Sequence, residues 1–195
     1  MRKPRDTEQK LLEASVRTFV RFGPTKTTMQ DVANEAGVSR QTVYDVFGNK
    51  DALMVASIRL VTTQNLAIAK TKILESESLA EKLEAYFEHT VRSSFELLQQ
   101  SGDLEDLIRG HSEAGAEEIE RSHERHRALV GELLAPYDDS ICSKGETIEG
   151  LSRFLVSVAI NAKYSARDRD ELTALLTTLK NSVLQFAGLP IVPKG

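Results

Sequence analysis

Six side chains between Arg40 and Lys50 carry the clearest chemistry in this sequence. Gln41 offers an amide that pairs bidentately with adenine, and Thr42 a hydroxyl that donates or accepts beside a methyl that meets thymine. Arg40 reaches a guanine or a phosphate. Tyr44 and Lys50 suit phosphate oxygens, where contacts set register without reading sequence. Asp45 accepts from cytosine N4 or repels a misplaced phosphate.

Such groups work only if short helices hold them on one side, and the surrounding stretch, TTMQDVANEAGVSRQTVYDVFGNKDAL, supplies those helices. Thr27 and Thr28 are expected to cap a first helix and Gly37 to close it in the left-handed conformation. Ser39 caps a second helix running to about Val46, and Gly48-Asn49 separates it from a third. Val32, Ala33, Ala36, Val38, Val43 and Val46 let the two helices cross closely, with Val43, Val46 and Phe47 as the buried side of the second. Ordinary all-α cores contain glycine-hinged hairpins too. Here the polar face fits a helix-turn-helix, over about residues 28–47, whose second helix enters a DNA major groove. The expected DNA-contact set is Thr27, Thr28, Ser39, Arg40, Gln41, Thr42, Tyr44 and Lys50.

The wider stretch resembles the N-terminal DNA-binding domain of TetR-type (tetracycline-repressor-like) transcriptional regulators. The match covers about Thr7 to Leu60: an initial helix ending in Phe22-Gly23, then TTMQDVANEAGVS, then TVYDVFGNKDAL. Tyr44, Phe47 and Lys50 fall on the family's Y-x-x-F-x-x-K signature. Asp45 departs from it, standing where the family more often has histidine or a basic residue. The resemblance implies an all-α fold: a three-helix DNA-binding domain over 1–60, then a helical bundle for ligand binding and dimerisation over 61–195. It also implies a homodimer on an inverted-repeat DNA operator, released by a small-molecule effector, and a long fourth helix that carries motion from ligand to DNA. A second reading keeps the fold as a ligand-sensing or interaction module with weak or no DNA binding; the intact Arg40–Tyr44 and Lys50 set argues against it.

The whole chain sets looser bounds. Its 195 residues are 41% hydrophobic and 28% charged, enough for a sizeable core. No run suggests a membrane span or a secretory leader, and the lone Cys142 fits a reducing cytoplasm. The net charge of −4 disfavours nucleic acid until the chain is divided. Residues 1–50 hold nine Lys/Arg against six Asp/Glu; the rest hold sixteen against twenty-three. A basic head on an acidic body suits a DNA reader.

In chain order, residues 1–5 form a basic arm, and helix 1 starts at Asp6 or Thr7 and stops at Phe22-Gly23-Pro24. Asn49 caps a helix to about Leu74. An uninterrupted amphipathic helix is expected from Leu79 to Leu98, then a short one from Asp103 and a charged one over 115–134. Residues 136–147 read as a loop with room for a turn of helix inside. Two last helices, the second capped by Asp168, complete nine or ten helices without a sheet.

The body holds three further constellations. His123 and His126, at i and i+3, can face one metal, but the run ERSHERHR reads better as a solvated face; no metal site and no cofactor are expected. The ligand-pocket candidates are Leu83, Phe87, Thr90, Val91, Phe95, Ile108, His111, Phe154, Val158 and Asn161, lining a mainly apolar cavity. The apolar stripes of the last two helices give the expected dimer interface: Leu151, Leu155, Val158, Ala162, Leu172, Leu175, Leu176 and Leu179. No nucleophile–base pair or phosphate loop is present, so no enzyme activity is expected.

Overall fold

The computed structural model describes residues 4–101 and 112–191 and contains no strand among them. The chain forms two compact units, Met1–Gln64 with Glu96–Ser122, and Asn65–Phe95 with His123–Gly195. The division thus differs from a single boundary at residue 60, because the first unit also takes a stretch from the middle of the chain. The expected short helix from Asp103, with pocket candidates Ile108 and His111, lies outside the described residues, as do the tips of both termini.

The first unit is built on α1 (Pro4–Phe22), α2 (Met29–Ala36), α3 (Arg40–Phe47) and the start of α4 (Lys50–Leu74). Helix α1 begins at Pro4, before the expected Asp6, since proline at a first helical position has no N–H to leave unpaired. Thr28 caps α2 in a reciprocal box with Asp31, and the Asp31 carboxyl is held below its ordinary range by the Thr28 side chain and backbone. Gly37, at φ 63°, ends α2, and Val38 N–H donates to the Ala33 carbonyl at 3.0 Å. Leu11, Ala14, Val32, Ala33, Val43 and Leu53 fill the core, the alanines letting the helix backbones approach. Within it the hydroxyls of Ser15 and Ser57 meet where α1 crosses α4; each has one hydrogen, so one donates to the other, which donates in turn to a carbonyl of its own helix, and both buried oxygens are satisfied.

Helix α4 ends at Leu74, as expected. It is long and apolar enough, by length and composition alone, to cross a membrane, contrary to the sequence expectation. A helix shared between two cores meets the same criterion. Leu53 and Met54 sit in the first core and Leu66 and Ile73 in the second.

The second unit departs from expectation in one element. The amphipathic run from Leu79 is interrupted. Helix α5 (Leu79–Tyr86), capped by a Ser78–Glu81 box, passes into a π-helical turn (Phe87–Arg92) before α6 (Ser93–Gln99). The wider turn inserts one residue into the repeat, so Phe87, Thr90, Val91 and Arg92 are all buried. Arg92 is satisfied there by Glu84 at 2.8 Å and Glu88 at 3.2 Å; Lys180 and Arg169 reach the same two carboxylates from the last helix. Helix α7 (Glu113–Leu134) follows, then a 3-10 turn (Ala135–Tyr137) and α8 (Asp138–Ser143) where a loop was expected. Helices α9 (Ile148–Ser165) and α10 (Arg169–Phe186) close the chain, capped by Thr147 and Asp168.

His126 lies in this unit, its Nδ1 2.9 Å from Tyr86 Oη and its ring edge-on to the tyrosine. Burial pushes its pKa down to about 4, with Lys163, His123 and Arg125 adding the same sign. Since the unfolded chain titrates near 6.5, it binds more protons between those values, and stability falls as pH drops from 6.5 towards 4. The expected contribution of this residue is about 2 kcal/mol over that window. Urea unfolding at pH 7.5 and pH 5 should show a smaller difference between the two pH values in His126→Gln than in the unchanged protein.

Candidate nucleic-acid interface

Helix α3 is anchored by Val43, fully buried under α2, and capped by Ser39, whose hydroxyl accepts from Thr42 N–H at 3.1 Å and bonds the Thr42 hydroxyl at 2.9 Å. That anchoring leaves Arg40, Gln41 and Asp45 exposed, with Thr42 and Tyr44 half-buried beside them. Two pairs at i,i+4 order this face. Arg40 Nη2 donates to Tyr44 Oη at 3.2 Å with its guanidinium 5.3 Å from the ring centroid, and Gln41 Nε2 donates to Asp45 Oδ1 at 2.7 Å. Lys50, at the start of α4, donates to the Thr25 carbonyl at 3.0 Å across the α1–α2 loop. An ammonium has three N–H groups, so this bond fixes its position and leaves donors for a phosphate.

Two of the expected contact residues are placed differently. Thr27 is 1% exposed, and its hydroxyl donates to the Gly23 carbonyl at 2.7 Å; it pins the loop and is withdrawn from the contact face. Thr28 is exposed, but its hydroxyl and N–H both donate to Asp31, so a carboxylate already occupies that helix start. Val46, expected to be buried, is 39% exposed. An apolar side chain on this face suits a thymine methyl. Sequence reasoning missed it because an eight-residue helix anchored by one valine needs no second buried position on the same stripe.

Residues 11–56, which span α1 to the first turns of α4, match the family model described as bacterial regulatory proteins, tetR family. This stretch is similar to the N-terminal region of TetR-family regulators. Within curated relatives, 75 residues are 33% identical to the HTH-type transcriptional regulator BetI of Agrobacterium fabrum, covering 38% of this chain and 36% of that one. A longer match, 21% identical over 164 residues, covers 81% of this chain and 53% of the HTH-type transcriptional regulator YerO of Bacillus subtilis. The matched stretches thus span about a third to a half of those relatives. The fold is similar to that of a transcriptional regulator from a Rhodococcus species (TM-score 0.74, 17% identity, 95% of this chain and 99% of that one). It is likewise similar to the fatty acid degradation regulator FadR of Bacillus halodurans (TM-score 0.73, 18% identity, 98% and 100%).

The body of the chain sorts the remaining candidates. Leu83, Phe87, Thr90, Val91 and Phe95 are buried; the four apolar ones belong to the same packed cluster as Leu155, Leu172 and Leu176, and the Thr90 hydroxyl donates to the Tyr86 carbonyl. Phe154 and Asn161 instead point outward, the Asn161 amide donating to the Ser157 carbonyl, and Val158 is half-buried. Phe154 and Asn161 thus lie outside the packed core of this chain, whereas Val158 packs against it. The groove bordered by Lys72, Ser76, Glu81, Ala85, Glu88 and His89 is open and charged, and none of the eight pocket candidates among the described residues lines it.

The dimer-interface candidates are also redistributed. Leu151, Leu155, Ala162, Leu172, Leu176 and Leu179 face the chain's own core. Leu175, at 42% exposure, is what remains outward of that set; Val158 is half-buried against the core, and Phe154, outside the set, is 49% exposed. Both helices are apolar around more than one edge, so the stripe alone did not say which edge turns inward. Among the described residues, no group of three or more His, Cys, Asp or Glu is arranged to hold a metal ion.

Proposed function

We propose that the chain is a homodimeric, sequence-specific, DNA-binding transcriptional regulator of the cytoplasm, a repressor released by a small-molecule effector. The observation that carries this reading is the exposed face of α3. Within the stretch that matches the family, an anchored and doubly capped hairpin presents Arg40, Gln41 and Tyr44 together, with Lys50 fixed at its edge. Base-reading and phosphate-binding groups in that arrangement fit a helix lying in a major groove. Pairing is supported by Phe154 and Leu175, large apolar side chains left in water on α9 and α10. A twofold dimer places two α3 helices on an inverted repeat whose half-site centres lie about one helical turn, or a multiple of it, apart.

Lys50→Ala is expected to weaken binding about five- to tenfold on every sequence and to reduce the slope of log affinity against log salt by about one. Tyr44→Phe should act in the same direction and more weakly, since it removes a single hydroxyl. Titrations of labelled duplexes at several salt concentrations check both. A Lys50→Ala protein that keeps full affinity but prefers a different sequence contradicts the phosphate role.

A further inference from the structure

We propose that Asp45 is a positioning residue for base recognition: its carboxylate holds the Gln41 amide in the orientation that presents an adenine-reading edge. The inference rests on the DNA-binding reading above. Gln41 and Asp45 are both exposed on α3, one turn apart, on the side away from buried Val43. The contact is short, Nε2 to Oδ1 at 2.7 Å. An ionised carboxylate only accepts, so the amide must turn its NH2 towards Asp45; the reversed amide sets oxygen against oxygen.

This orientation leaves the reading edge unspent. A primary amide has two N–H bonds, one on the side of its carbonyl oxygen and one on the far side. Pairing with adenine uses the carbonyl oxygen, which accepts from N6, and the near N–H, which donates to N7. The far N–H takes no part in that pairing and is free to serve Asp45. A glutamine already held this way loses less rotamer freedom on docking. The same carboxylate repels phosphate oxygens, so it lowers affinity for DNA in general while sharpening the choice among sequences.

The test measures the full chain against its selected operator, against each single base-pair change in one half-site, and against unrelated duplex DNA. Gln41→Ala should erase a preference for A·T at one position, a preference of at least about fivefold in the unchanged protein. Asp45→Ala should reduce that same preference at least twofold and raise affinity for unrelated DNA; Asp45→Asn, whose carbonyl still accepts, should restore much of the preference. In the Gln41→Ala background, Asp45→Ala should leave the base profile unchanged. The inference is overturned if Asp45→Ala keeps the adenine preference intact. It is equally overturned if the variant loses a preference for cytosine in both backgrounds, which makes Asp45 a direct reader. An unchanged protein with no sequence preference at all removes the DNA-binding reading itself, and this inference with it.

Discussion

Replacing Phe154 and Leu175 together by glutamate is expected to give a folded monomer whose operator affinity is at least about a hundredfold weaker. The two side chains are 49% and 42% exposed, so charges there cost the single chain little. In a pair of chains the same charges are buried without partners, at several kcal/mol. Losing the pair also loses the effective concentration that one bound half-site lends the other, which is worth about 10²–10⁴ in avidity. Sedimentation equilibrium reads the assembly state, circular dichroism the fold, and duplex titration the affinity. Leu172→Glu is the contrasting variant: Leu172 is fully buried within its own chain, so it should unfold rather than dissociate. A Phe154→Glu/Leu175→Glu protein that stays dimeric places the interface elsewhere.

Arg59→Met is expected to destabilise the first unit by about 2–3 kcal/mol, although Arg59 itself is 57% exposed. The reason lies in its partner. The Glu118 side chain is 1% exposed, and its Oε2 accepts from Arg59 Nη2 at 2.8 Å and Nε at 3.2 Å, with Arg121 Nε at 3.3 Å. Removing Arg59 withdraws two donors from a carboxylate held out of water. Removing the charge of Glu118 leaves a guanidinium that water can reach. Glu118→Gln should therefore cost clearly less than Arg59→Met, and adding Glu118→Gln to Arg59→Met should recover part of the loss. Urea midpoints for the three variants check the order. Equal losses from the two single variants contradict this assignment of the cost.

The local signals in the sequence were strong where one or two residues decide an outcome. Gly37, Ser39, Asn49 and Asp168 act as their types and positions imply, because a cap depends on neighbours within one turn. The start of α10 after Asp168 was legible for the same reason. What was not legible depends on distant neighbours. Thr27 and Thr28 are equivalent as sequence, yet only the second caps α2, because the first finds carbonyls at the end of α1. The π turn at Phe87–Arg92 brings Arg92 into the core, where Glu84 and Glu88 meet its charge. A three-to-four-residue repeat does not report such an insertion. On α9, Leu155 and Phe154 are adjacent and equally apolar. Only the fold separates the one that packs inward from the one left in water.

The most direct test of the regulator reading is selection of random duplex DNA by the purified full chain, followed by sequencing of the bound fraction. The account predicts enrichment of an inverted repeat with half-sites about one helical turn, or a multiple of it, apart, and an adenine preference that Gln41→Ala abolishes. Recovery of DNA with no enriched sequence, or of a single unrepeated site bound equally well by Gln41→Ala, contradicts it.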